Sequence, residues 1–242
     1  ILLNLTTCTL IFFGGIGFLV IMDVLKRRNF RKLALHSKVV LTTSIVLIVL
    51  GTVLLKFTEH ISWMGAFFHS ISARTAGFST YSIGEFTNAG LFVLCVLMFI
   101  GASPGSTGGG IKTSTFFVLA QSTRSMFSKQ AVGAFKRSIS SQNVSKAYAI
   151  SMLSALVVIV ATFLLCVLEP EFQFIQLLFE VISAFGTVGL STGITPDLSG
   201  AGKLVIILVM FIGRLGAMTL ISMWIERPEK MIRYTEETIA IG

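Results

Sequence analysis

Charge is scarce in this chain, and so are cysteine and histidine. Only 12% of its 242 residues are charged, against 54% hydrophobic, and the mean hydropathy is +0.87. A soluble domain of this size has no way to hide so much apolar surface, so lipid is the expected solvent. The three cysteines, Cys8, Cys95 and Cys166, all lie inside apolar runs. They offer neither metal-ligand spacing nor a disulfide framework and read as packed free thiols. His36, His60 and His69 share no ligand spacing. With no Ser/His/Asp set and no paired carboxylates, the chain does not read as an enzyme, and no tightly bound cofactor is expected. A net charge of +8 would suit nucleic acid, but the basic residues sit between apolar segments, which argues against that partner.

What is abundant is apolar runs near the roughly 20 residues that cross a bilayer as a helix. The sequence starts at Ile1, and residues 1–25 are apolar with neither a basic start nor a cleavage site. They read as a spanning helix and not a signal peptide. Residues 38–57, 144–168 and 200–224 read as further spans. Two apolar segments, 61–73 and 172–185, are too short to cross and fit re-entrant helices that return as extended chain. Residues 86–126 are apolar but interrupted from Gly101 to Gly110, where glycine and Pro104 will not sustain a helix.

Charge sets the expected orientation. The linker 26–38 holds six Lys or Arg and no acid, and the linker 124–146 holds five and no acid. Arg227, Lys230 and Arg233 follow the last span. Alternation puts all three segments on one side, which the positive-inside rule makes cytoplasmic. Glu59, Glu85, Glu169, Glu171 and Asp197 fall on the other side. Glu85, Glu169, Glu171 and Asp197 there could concentrate cations at a mouth or be ordinary solvated loop acids. Both short segments then open from the outer face.

Ile71-Ser72-Ala73-Arg74-Thr75-Ala76-Gly77-Phe78-Ser79-Thr80 recurs as Ile182-Ser183-Ala184-Phe185-Gly186-Thr187-Val188-Gly189-Leu190-Ser191-Thr192, with one extra residue near Gly186 and a period of about 111 residues. Each copy follows a span and a short helix and precedes another span, a duplication common in membrane transport proteins. An extended Thr-x-Gly strip can replace the hydration shell of an alkali cation with backbone carbonyls, glycine supplying the φ values that turn them to one axis. Thr75, Ala76, Gly77, Thr187, Val188 and Gly189 are therefore the candidate filter residues, with potassium, and sodium as a second candidate, as the transported ion.

The interrupted helix carries Ser103, Pro104, Gly105, Ser106, Thr107, Gly108, Gly109 and Gly110. A P-loop fails by one residue, because Ile111 separates Gly110 from Lys112, and both flanks are membrane helix. A mobile loop at mid-membrane depth, tolerated only beside protein or water, reads better as a gate. Arg214, inside the last span, should face an interior cavity and latch the loop through its carbonyls or hydroxyls. Lys112 is a second candidate of the same kind. Arg74 is expected to tether the strip from behind through Glu180 or another pore-helix acid. A secondary transporter of another solute with a midplane site, or a non-conducting structural subunit, remains as the alternative.

These residues resemble the Trk/Ktr/HKT superfamily of potassium transporters, most closely the membrane subunit of bacterial Ktr systems. The resemblance rests on Ser72 to Phe78, on Gly101 to Gly110 and on Thr187 to Thr192, and covers essentially the whole chain. It implies an all-α membrane fold of span–pore helix–span repeats around a pseudo-fourfold axis in a bacterial plasma membrane. Residues 1–37 would be the last span of a preceding repeat with its linker. Residues 38–143 and 144–242 would be the last two of four repeats, so two filter strips lie outside this sequence. In the family the equivalent loop obstructs the pore below the filter. The resemblance further implies a homodimer and a cytoplasmic nucleotide-binding ring (KtrA-like) as regulator.

Overall fold

The computed structural model describes residues 2–128 and 131–216. Two unbroken helices dominate it: α3 (Leu35–Thr58) and α7 (Ser141–Leu168). At 1.5 Å per residue they extend about 36 and 42 Å, enough to cross the hydrocarbon core. Their outer faces expose Ile45, Val49 and Phe57 on α3 and Met152, Ile159 and Phe163 on α7, side chains suited to acyl chains rather than water. Each is followed by a short helix, α4 (Trp63–Ser72) or α8 (Phe174–Phe185), of 10 and 12 residues. These reach only about half-way through a bilayer. Then come α5 (Asn88–Phe99) and, after the loop, α6 (Thr113–Ser128) in the first half, and α9 (Gly200–Leu215) in the second. The core lies where α5, α7, α8 and α9 meet, around the fully buried Phe179, Phe185, Leu94, Met98, Leu165 and Leu177.

The two halves are tied alike at the C-terminal ends of α3 and α7. Glu59 ends α3 and accepts hydrogen bonds from Thr87 N (3.0 Å) and Oγ1 (2.7 Å), where Thr87 caps α5. Glu169 ends α7 and accepts from Ser199 N (2.9 Å), the residue capping α9. Gly90 and Gly202 leave room for these carboxylates, each of which would be struck by a Cβ there. Both acids are buried. Glu169 is thus neither a cation-gathering mouth acid nor a solvated loop acid: the unpaired amides at a helix start need an acceptor, and the carboxylate supplies it.

Residues 1–25 do not form one helix. They fold as α1 (Leu2–Ile16) and α2 (Phe18–Arg27), bent by 96°. Gly17 sits in the corner at φ 89, a value open to glycine without strain. The corner is filled by the loop after α5. Ser103 N donates to Gly15 O (3.0 Å) and Phe18 N to Gly105 O (3.2 Å), and a Cβ on Gly17 would lie 2.6 Å from Pro104 O. The chain returns from α2 because Asp23 accepts from Ala34 N (2.8 Å) and Ser37 Oγ (2.7 Å).

The basic linker after α6 carries a small hairpin, β1 (Gly133–Ala134) with β2 (Arg137–Ser138), turned at Phe135 and Lys136, both at positive φ. The final span expected over 200–224 is helical through Leu215, where Gly216 caps it at φ 84. Residues 217–224, and Arg227, Lys230 and Arg233 after them, lie outside the described residues.

Candidate functional site

At the C-terminal ends of α4 and α8 the chain leaves the helix as two strips with the same alternation in the sign of φ. Thr75 and Gly77 lie at φ 73 and 77, and Thr187 and Gly189 at φ 51 and 93, with Ala76 and Val188 between them on the ordinary side. Alternating handedness turns successive carbonyls toward one side of a strip, whereas a regular strand alternates them. For glycine this costs little. For threonine, a β-branched residue, it costs about 1–2 kcal/mol. Such a cost survives twice only because the surroundings enforce it.

The enforcing contacts are visible. Ser72 Oγ donates to Phe78 O, bridging the first strip from below. Ala76 N and Gly77 N return to Ser72 O at 3.0 and 3.3 Å. In the second strip Ser183 Oγ donates to Leu190 O (2.6 Å) and accepts from Gly189 N (3.2 Å), and Val188 N donates to Ser183 O (2.9 Å). The strips touch: a Cβ on Gly77 would collide with Val188 O and come within 3.3 Å of Gly189 C. Ser72 and Ser183 stand in the sequence repeat, but their bracing role needs the fold to be seen.

Glu180, also unread as a brace, is 5% exposed and accepts four hydrogen bonds. They come from Ser191 Oγ (2.7 Å), Thr192 N (2.9 Å), Thr192 Oγ1 (3.1 Å) and Thr195 Oγ1 (2.7 Å). It therefore fixes the C-terminal end of the second strip and is not the partner of Arg74. Arg74, 8% exposed, reaches backward to Ser44, with 3.2 Å to Oγ and 3.5 Å to the carbonyl. At the place corresponding to Glu180 the first half has His69, fully buried among Phe68, Tyr81 and Phe86, its Nε2 3.5 Å from Thr80 Oγ1.

The loop between α5 and α6 lies directly against both strips. Its neck is closed by a parallel bridge between Ile100 and Ile111, with Ile111 N donating to Phe99 O (3.2 Å). Gly109 N donates to Thr187 Oγ1 (3.0 Å), and a Cβ on Gly108 would strike Thr75 Oγ1. Gly110, at φ 69, passes Gly186 with only 3.4 Å to spare for a Cβ. Ser103 is fully buried, its Oγ 3.2 Å from Thr113 Oγ1, while Ser106 folds back onto Ser103 O. Pro104 and Gly105 fill the α1–α2 corner. Two cations hold the loop's carbonyls: Lys112 Nζ donates to Gly108 O and Arg214 donates to Thr107 O. Every candidate of both sets is thus gathered into one contiguous cluster. Among the described residues no group of three His, Cys, Asp or Glu side chains is placed to hold a metal ion.

This fold, with long apolar helices and short ones ending in strained strips, is that of a multi-pass helical membrane protein. The family model for the TrkH cation transport proteins matches residues 1–233. The chain belongs to that family, whose members move cations and are not enzymes. It is 42% identical to the Ktr system potassium uptake protein B of Vibrio alginolyticus, over 100% of this chain and 56% of that protein. It is 36% identical to the protein of the same name from Bacillus subtilis, over 99% and 56%. Against the potassium/sodium uptake protein NtpJ of Enterococcus hirae it is 38% identical, over 99% and 57%. The crystal structure of the potassium transporter TrkH from Vibrio parahaemolyticus superposes with a TM-score of 0.73 at 20% identity, covering 91% of this chain and 51% of that one, a likeness of fold. The chain spans just over half the length of the curated relatives it matches.

Proposed function

We propose that this chain forms part of a potassium uptake pathway in which its two strips supply two of four walls of a carbonyl-lined filter around a pseudo-fourfold axis. The observation that carries the reading is the pair of matched strips, each with a Thr and a Gly at positive φ, packed against each other. Carbonyls turned to one side replace the water a potassium ion sheds, and no side-chain carboxylate is needed. The C-terminal ends of α4 and α8 point at the strips, so their dipoles favour a cation there.

The loop from Ser103 to Gly110 is the gate. It is pinned below the filter by Thr187, Lys112 and Arg214, and the two side chains add positive potential on the ion's path. Residues 1–37, 38–143 and 144–242 are read as the end of one repeat and two complete ones. The same reading makes the working assembly a homodimer with a cytoplasmic nucleotide-binding ring, and leaves sodium as coupling or competing ion. The named relatives that take up potassium, and in one case potassium and sodium, support it.

Rubidium and sodium uptake by the full-length protein in a transport-deficient cell tests the filter. Gly77→Ser places a side chain against Val188 O at φ 77. The expected result is a loss of potassium-over-sodium preference of about ten-fold, equivalent to about 1.4 kcal/mol. Undiminished preference in that variant would refute the filter assignment.

A further inference from the structure

A cavity of about 310 Å³ opens between the starts of α3 and α7 and the flank of α6, away from the strips. Its polar lining is His36, Ser114, Thr115, Asn143 and Lys146, and its walls are apolar, with Val39, Phe117 and Ile150 among them. The Nε2 of His36 is buried without a hydrogen-bond partner. The two segments that lead into α3 and α7 hold eleven Lys or Arg between them and no acid. By the charge rule this is the cytoplasmic half of the membrane, where the leaflet carries anionic lipid.

We propose that this cavity seats the headgroup of an anionic phospholipid of the inner leaflet. The charge requirement is met by Lys146, one turn into α7, the basic side chain that lines the cavity. Ser114, Thr115 and Asn143 supply hydrogen-bonding groups for phosphate and glycerol oxygens. The apolar walls, with Val39, Phe117, Val118 and Ile150 among them, suit the first carbons of the acyl chains. A zwitterionic lipid meets the same apolar walls but gains nothing from the net positive field. A seated lipid bridges α6 to α3 and α7. The site is independent of which ion the pathway carries.

Tryptophan placed at Ile139, on the cavity's rim, reports occupancy. Full-length protein carrying Ile139→Trp is reconstituted with brominated phosphatidylglycerol or brominated phosphatidylcholine at equal mole fraction, and quenching is compared after subtracting the protein without the new tryptophan. Quenching should favour phosphatidylglycerol. Lys146→Gln should reduce that preference about five-fold, the effect of one basic residue near the surface. Lys38→Gln should retain it, because Lys38 lies off the cavity with its Nζ held by Arg31 O at 2.8 Å. Equal quenching by both lipids would overturn the proposal. So would an unchanged preference in Lys146→Gln, or protection from both lipids by a bound cytoplasmic protein. Elution volume and helical circular dichroism confirm that each variant is folded.

Discussion

A buried carboxylate with four donors is the most heavily used side chain behind the strips. Replacing Glu180 by Ala leaves Ser191, Thr192 and Thr195 facing a void with unpaired donors. The expected loss is about 3 kcal/mol of stability, read by thermal unfolding in detergent. Glu180→Gln keeps one carbonyl acceptor and should lose less than half of that; equal losses in the two variants would show that the negative charge, and not acceptance, is what matters. At Thr187 the hydroxyl alone is at issue. Thr187→Val keeps the branched shape but leaves Gly109 N without its acceptor, and resting leak should rise several-fold, measured as rubidium efflux from loaded cells. The Thr and Gly of each strip could be picked from sequence because they recur, and one copy checks the other. Glu180 could not, since its partners lie 11 to 15 residues on, across a strip whose path no periodicity describes. Arg74 misled for another reason: the acid expected for it, Glu180, belongs to the other half, 106 residues on, whereas the folded neighbour is Ser44, on a helix 30 residues earlier.

Helices and their breaks behave differently at the next scale up. The span lengths, the two half-length helices and the interruption at Gly101 to Gly110 all follow from how apolar residues, glycine and proline are spaced. The 96° corner between α1 and α2 does not. Gly14, Gly15 and Gly17 each cost an uninterrupted helix only about 1 kcal/mol relative to Ala, so an apolar run containing them reads as continuous. What bends it is the loop around Pro104, nearly 90 residues away. The hairpin after α6 escaped notice because Phe135 and Lys136 occupy left-handed positions that Asn-Gly usually fills. The corner makes a prediction of its own. Gly17→Ala introduces a Cβ at φ 89 that meets Pro104 O, so the loop must shift from a distance, with neither strip touched. Uptake at low external potassium should rise a few-fold while ion preference stays that of the parent. A rise accompanied by lost preference would mean that the corner supports the filter itself and not the loop.

Orientation belongs to the molecule as a whole. The sequence assigns it from charge placement, which is a sum over loops and does not depend on any single contact. The apolar faces of α3 and α7 say which surfaces meet lipid, but not which end is which; the two basic linkers do. The two ties then take on meaning: Glu59 joins α3 to α5 and Glu169 joins α7 to α9 on the acid-bearing side, while the hairpin and the start of α7 lie opposite. A single pair of cysteines tests this. The native Cys8 and Cys95 are buried and Cys166 is partly so, which keeps the background low. Asp197, exposed just before α9, and Lys136, at the hairpin tip, mark the two sides. In intact cells a membrane-impermeant maleimide should label Asp197→Cys and spare Lys136→Cys, and opening the cells should bring Lys136→Cys to the same extent of labelling. The reverse pattern would place the strips toward the cytoplasm. The loop from Ser103 to Gly110 would then lie on the outer side of the filter, beyond the reach of a regulator that acts from within.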